Sequence, residues 1–339
     1  SSIEYDLGWN EITKGLKLRL SYSKNIGTSK GNEKGTKYVL YQMIERGGSG
    51  SHLYTGSDLN LDESNFVTRN VTNGDQLRRS MSRSDGYQVN FTAAYNRTFG
   101  DHDVSGVFSI EKSESEYEDL LGSITDPYPF TNGQSNTATG DKNTDFGRSE
   151  SGHLSYIGRV NYAFQSKYLF EFLVRSDAST KFAPRNYWGV FPSVSAGWVM
   201  SEEDWFRDNV NFVNNLKLRG SFGLLGRDNI QPWAWLRTYS LNADKGPIFG
   251  SANNIVSGTH IGVPDTDINP NAHWDKSYKS NIGLDFSMLR NRLNFVVDGY
   301  YEWNREIFAT RSGDLIPSTV GTQAAAENYA SMDNYGIEV

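Results

Sequence analysis

Cysteine is absent from all 339 residues of the chain. That excludes a secreted scaffold held by disulfides, thiol catalysis and thiolate metal sites. Also missing is any run approaching 20 consecutive apolar residues, which excludes a membrane-crossing helix. It does not exclude a membrane, because a spanning β-strand hides its apolar half in alternation. A basic excess is lacking: 33 Lys and Arg stand against 40 Asp and Glu, a net charge of −7 that argues against a nucleic-acid partner. No helical periodicity of useful length, heptad or fixed-period repeat is present. The opening SSIEYDLGWN has neither the basic nor the apolar region of a signal peptide. The chain starts, and stops at Tyr335 to Val339, inside what read as strands. The expectation is an internal segment of a longer protein, since a barrel tolerates no open edge in lipid.

What the chain does have is a recurring ladder. Leu16, Leu18, Leu20 and Tyr22 alternate with Lys17, Arg19 and Ser21; Val89, Phe91, Ala93 and Tyr95 alternate with polar residues. Tyr168, Phe170, Phe172 and Val174 alternate with Glu171 and Arg175, and Leu293, Phe295, Val297, Tyr301 and Trp303 with Asn294, Asp298 and Glu302. Side chains switch faces at each strand residue, so every ladder is a strand with one apolar and one wet face. The predicted fold class is all-β, a transmembrane antiparallel β-barrel with lipid outside and a polar lumen inside. Aromatics reach 13%, with 19 Tyr, 18 Phe and 8 Trp, which fits either barrel girdles or a sandwich core.

Connections come in two lengths that largely alternate. Thr13 to Gly15, Phe99 to Asp101, Gln165 to Lys167 and Leu289 to Asn291 are short; 25–36 (or on to about 84), 112–152, 177–188, 226–234, 240–276 and 305–330 are long. Sorting by side is an outer-membrane pattern, with short periplasmic turns and long extracellular loops. In 201–214, Ser201 before Glu202, Glu203 and Asp204 predicts the N-cap and acidic first turn of a short helix. Strand parity requires either no strands or two between Ser23 and Tyr87, with Tyr38 to Met43 a strand or half of a hairpin.

Catalytic patterns are missing. His52, His102, His153, His260 and His273 lie far apart and form no i, i+4 pair, and no Gly-x-Ser-x-Gly elbow occurs. The pairs Glu202/Glu203 and Asp265/Asp267 read as solvated loop carboxylates rather than a glycosidase pair. Asp265 to Asn269 lacks the glycine and closing glutamate of a calcium loop, and Gly47 to Gly50 lacks the strand-then-helix frame of a phosphate loop. The expectation is no enzyme, no cofactor and no metal. Arg159, Glu171, Arg175, Lys217, Arg219, Asp285 and Asp298 are predicted to face the lumen, with Lys17, Arg19 and Glu302. Such charges either line a transport path or pair with one another or with something filling the lumen; pairing is preferred, because an unpaired charge in a closed lumen is costly. Trp188, Trp233, Trp235 and Trp274, with Tyr128, are loop aromatics that stack on a ligand or sit in an interfacial belt; the belt suits Trp188 and Trp274 better.

A longer pattern lies in 151–226. Ser155-Tyr156-Ile157-Gly158-Arg159-Val160-Asn161-Tyr162 precedes Arg175-Ser176-Asp177-Ala178-Ser179-Thr180-Lys181-Phe182, then Trp188-Gly189-Val190-Phe191-Pro192-Ser193 through Trp198, and Leu216-Lys217-Leu218-Arg219-Gly220-Ser221-Phe222-Gly223. Later come Asn269-Pro270-Asn271, Trp274-Asp275-Lys276, Asp298-Gly299-Tyr300-Tyr301 and Asn334-Tyr335-Gly336-Ile337-Glu338. Together they resemble the β-barrel of SusC/RagA-type TonB-dependent transporters of Bacteroidetes, over most of 85–339. Ala183, where that family has Gly, and Arg227, where it more often has Asn, depart from the pattern at loop boundaries.

The resemblance implies a whole protein of about 22 strands around a plug, with the plug, the TonB box and the last strands outside this chain. It implies a SusD-like surface lipoprotein over the extracellular loops, TonB acting through the missing N-terminal region, and contact with membrane lipid and lipopolysaccharide. The activity implied is active import of an oligosaccharide or oligopeptide across the bacterial outer membrane. The alternatives are a passive porin or adhesin barrel and, further off, a soluble all-β carbohydrate-binding protein, whose apolar faces would pack on each other.

Overall fold

The computed structural model describes residues 1–11, 13–35, 37–44, 66–128, 133–242, 245–251, 254–262, 268–310 and 325–339. The chain opens with β1 (Ser2–Asp6), β2 (Leu16–Lys34), β3 (Lys37–Met43), β4 (Phe66–Thr72), β5 (Gln76–Phe99) and β6 (His102–Thr125). Then come β7 (Lys142–Phe164), β8 (Tyr168–Ser179), β9 (Trp188–Val199), the helix α1 (Asp204–Asn209) and β10 (Val213–Arg227). Four short strands follow, β11 (Ser240–Asn242), β12 (Ile248–Ser251), β13 (Asn254–Ser257) and β14 (His260–Gly262), and the chain closes with β15 (Asp275–Met288), β16 (Leu293–Ala309) and β17 (Glu327–Glu338).

Eleven strands form one sheet in the order β1-β2-β5-β6-β7-β8-β9-β10-β15-β16-β17, an up-and-down meander in which each strand pairs with its neighbours in that order. Neighbouring strands pair antiparallel, as Phe172↔Val194 and Leu218↔Leu284 illustrate. The two ends of the sheet, β1 and β17, do not pair with each other among the described residues. Tight turns join strands where short connections are expected: Gln165 and Ser166 adopt φ of 51° and 57°, and Leu289, Arg290 and Asn291 of 55°, 61° and 62°. These left-handed positions match the mirror-image turns that suit twisted hairpins.

The long connections differ from expectation in three ways. β2 runs on to Lys34, β6 to Thr125 and β7 starts at Lys142, so 25–36 is largely strand and 112–152 shrinks to a loop after Thr125. Outside lipid a hairpin needs only its backbone ladder, and side chains such as Arg148 with Glu116 (2.6 Å) lace it across the surface. Next, 226–234 and 240–276 belong to one excursion between β10 and β15, carrying the small sheets β11–β14 and β12–β13. Finally, 37–84 holds the hairpin β3–β4, outside the large sheet, while β2 pairs directly with β5, so both alternatives for that stretch are met in part. In 201–214 the helix forms, but Ser201 lies in a preceding turn and bonds Asn215 at 3.3 Å; Glu203 occupies the N-cap without a side-chain cap bond.

The chain divides into two compact units. One is Ser1–Lys24, Tyr87–Ser115 and Glu150–Val339; the other, Asn25–Gly86 and Glu116–Ser149, holds the hairpin β3–β4 and the remaining lengths of β2, β5, β6 and β7. Gly47 to Gly50, His52 and Asp265 to Asp267 lie outside the described residues.

Candidate functional site

Register assigns the paired strand residues of the first unit to a face. Lys217 pairs with Asp285, Arg219 with Gly283, and Gly283 with Asp298; Glu171 pairs with Asn161 and Ser195, Arg159 with Leu173, and Arg175 with Ile157 and Phe191. Since directly paired residues share a face, Arg159, Glu171, Arg175, Lys217, Arg219, Asp285 and Asp298 all stand on one face of the sheet. The opposite face carries Val160, Phe172, Val194 and Phe222 in one cross-strand row. That apolar face is open: Phe172 is 43% and Ile282 65% exposed. A soluble sandwich would cover such a surface against a second sheet, and an uncovered apolar face of this extent marks a lipid-facing or partner-facing one.

Aromatic rings bound the apolar face at both ends. Trp188 opens β9, half exposed, and stacks on Tyr156 at 5.7 Å and 17°. Ten positions on, Trp198 closes the strand beside Tyr168, and Phe164 stacks on Tyr168 at 6.4 Å. Ten residues at about 3.3 Å each, tilted about 40°, project to roughly 25 Å, the height of a barrel's apolar band. Trp188 and Trp198 thus stand at opposite ends of the apolar face of β9.

On the charged face Arg175, Arg219, Asp285 and Asp298 are ion-paired, whereas Arg159, Glu171 and Lys217 have no ion pair among the described residues. Arg219 reaches across β15: Nε donates to Asp285 Oδ1 at 3.2 Å and Nη2 to Asp298 Oδ2 at 2.6 Å. Gly283 is the floor beneath the guanidinium, since a Cβ there would sit 2.5 Å from Arg219 Cζ. Asp298 Oδ1 is buried and has no hydrogen-bond partner among the described residues. Glu171, Lys217 and Arg219 line a cavity of about 490 Å³ with Asn161, Ser195 and Asn281. Arg159 stays exposed on the same face.

A second cavity, of about 580 Å³, lies toward the long loops and contains Arg175, Asp177, His153, Asp228, Phe191 and Trp274. Arg175 Nε donates to both Asp177 oxygens at 2.7 and 2.8 Å, and Nη2 to Ser155 Oγ at 3.2 Å. Asp228, just beyond β10, lies 2.9 Å from His153 Nε2, accepts from Ser179 Oγ at 2.9 Å and faces Lys181 Nζ at 3.3 Å. Burial pushes its carboxyl up, but the hydrogen bonds from His153 and Ser179 and the Lys181 ammonium outweigh that and bring its pKa down to about 2. Trp274 is a packing residue rather than a belt ring. It is buried with Phe182, Phe191, Ile230 and Ala272, and its indole N–H donates to the Tyr187 carbonyl at 3.0 Å. Phe191 reaches it over Gly226, where a Cβ would collide with the ring.

Trp233 is exposed and held at a left-handed φ of 61°, with Trp235 at 6.1 Å and 45°. The Trp235 indole N–H is buried without a partner among the described residues. Tyr128 is exposed in the second unit. Sequence reading missed Asp177, Asp228, His153, Ser179 and Lys181. Asp177 had a signal, two positions from Arg175 on the same face; Asp228 had none, its His153 partner lying 75 residues away.

No protein-family model matches the chain. It is 36% identical to the TonB-dependent receptor SusC of Bacteroides thetaiotaomicron over 193 residues, 55% of this chain and 18% of that protein. It is 31% identical to the TonB-dependent receptor P39 of Formosa agariphila over 250 residues, 72% of this chain and 22% of that protein. Among solved structures, one of the RagAB peptide transporter shares the fold at a TM-score of 0.70 and 20% identity, covering 96% of this chain and 32% of that one. The chain thus spans about a fifth of the length of these curated relatives.

Proposed function

We propose, from the premise that this chain is a stretch of the β-barrel of a SusC/RagA-like TonB-dependent transporter, that the whole protein imports an oligosaccharide or oligopeptide across the outer membrane. The observation that carries the reading is the two-faced meander. One face is apolar, uncovered and ringed at about the height of a bilayer's apolar band, and the other bears Arg159, Glu171, Arg175, Lys217, Arg219, Asp285 and Asp298. On this reading the charged face is the lumen wall and catalyses no bond change. Arg175, Arg219, Asp285 and Asp298 neutralise one another or a neighbouring acid, while Arg159, Glu171 and Lys217 remain as charges that face the cargo path.

The ligand is captured by the loops. Trp233 and Trp235 offer ring faces and one unpaired indole N–H, groups that suit a sugar ring or a peptide backbone. A SusD-like surface lipoprotein covers these loops, and TonB supplies the work through a region outside this chain. The similarity to SusC and to the RagAB peptide transporter supports that partnership. Native mass spectrometry of the protein extracted in detergent from its own membrane tests the reading. The expected spectrum shows a chain far heavier than 38.1 kDa together with a lipid-modified partner. A lone species that stays soluble once detergent is removed overturns it.

A further inference from the structure

The carboxylate of Glu203 gathers three polar groups at the short-turn end of the sheet. Tyr168 OH donates to Oε1 at 2.6 Å, Trp198 Nε1 to the same oxygen at 3.0 Å, and Lys167 Nζ lies 3.5 Å from Oε2. Tyr168 and Trp198 are a directly paired couple on the apolar face, two positions from Phe170 and Ala196. Glu203 is also the N-cap residue of α1. The helix is therefore clipped to the rim of the apolar face by the polar tips of two belt aromatics.

Helix α1 then divides its own two aromatics: Phe206 is buried, while Trp205, at 5.6 Å from it and edge-on, is 53% exposed. Phe212 and Leu289, joined by Leu289 N–H to the Phe212 carbonyl at 3.2 Å, are exposed as well on the connections at this end. Arg207, Arg290 and Arg292 are exposed nearby in sequence; Arg207 pairs with Asp204 at 2.9 Å, and Asp208 is the remaining acid of the helix. An indole with a wet edge, continuous with an apolar band and flanked by cations, has the chemistry of a headgroup layer, where Trp partitions and Lys and Arg meet phosphate.

We propose that α1 and the β15–β16 turn form an interfacial foot that beds into the phospholipid headgroup layer on the short-turn side, with Trp205 inserted and Glu203 fixing its height. Trp205 is the anchor, and Glu203 is a positioning residue that acts through Tyr168 and Trp198. The foot extends the band beyond the sheet between β9 and β10 and at the β15–β16 turn, giving this sector a deeper contact with the leaflet than the bare turn at Gln165 to Lys167.

The inference rests on the barrel reading, and the experiment separates the two. The full-length protein, with cysteines elsewhere replaced, carries a nitroxide at Trp205→Cys or at Phe172→Cys and is reconstituted into phosphatidylethanolamine–phosphatidylglycerol vesicles. Relaxation by oxygen reports lipid, and relaxation by a water-soluble nickel chelate reports solvent. Retention of the heat-resistant compact band on gels confirms folding of each variant. Expected is a Phe172 label dominated by oxygen and a Trp205 label at headgroup depth, several-fold less open to nickel than a label on the half-exposed Thr137. Adding Glu203→Ala, but not Glu203→Gln, raises the mobility and nickel access of the Trp205 label. A lipid-embedded Phe172 label with a Trp205 label as open to nickel as Thr137 overturns the foot alone. A solvent-open Phe172 label overturns the barrel reading with it.

Discussion

Asp228 holds the loop side of the charged face together, and its ionisation makes that hold pH-dependent. Its pKa is depressed from an ordinary 3.8 to about 2, so the stabilisation is complete above about pH 4 and is lost as pH falls toward 2. The difference corresponds to about 1 kcal/mol once solvent screening at a partly exposed group is allowed for. Melting of the full-length protein in detergent should therefore show Asp228→Asn less stable than wild type at pH 6, with the gap closing between pH 4 and 2. At Gly283 the prediction is steric. An alanine methyl must displace the Arg219 guanidinium or Asp298, costing about 1–3 kcal/mol, whereas Gly220→Ala, with only the Asn281 carbonyl at 3.9 Å, should leave the midpoint unchanged. Of these residues the sequence marked the charged ladder members, because alternation assigns a face. It could not mark Asp228, Ser179 or Lys181, whose meeting depends on how two loops fold back, nor the burial of Trp274, which depends on Phe182 and Phe191 reaching it.

At the level of the strand, parity is the whole specification: a shift by one position exchanges the faces. Phe172 and Ser195 lie on adjacent strands at similar depth but on opposite faces. Phe172→Arg should cost about 2–4 kcal/mol near the middle of the band and sharply reduce the heat-resistant folded band recovered from outer membranes. Ser195→Arg, beside Glu171 in the 490 Å³ cavity, should assemble at nearly wild-type yield. Equal losses would mean that the two faces do not differ in their surroundings. Strand type was legible for the same reason, and strand ends were not. Past the apolar band, β6 and β7 carry mostly polar side chains on both faces, and the apolar ones, such as the adjacent Leu120 and Leu121, no longer alternate to announce them. The helix α1 was legible from its acidic start, but its cap was displaced to Glu203, whose carboxylate answers to Tyr168 and Trp198 instead of its own backbone.

Across the whole molecule, the meander follows chain order except where β3–β4 and the β11 to β14 hairpins stand outside the sheet. Trp233 and Trp235 belong to the second of these detours, and replacing both with Ala should lower uptake by the full-length protein several-fold while leaving its melting midpoint in place; a fall in stability instead would make them packing residues. The same detour bears on how the sheet comes together in time. Most hairpins close over a few residues, but β2 must find β5 across 35–75 and β10 must find β15 across 228–274, each roughly four doublings longer than a tight turn and about 2.4 kcal/mol dearer in closure entropy. Zippering from β1 would stall at β2 and again at β10, so the β2–β5 and β10–β15 seams should be the slow steps of assembly and the places where a folding catalyst has most to do.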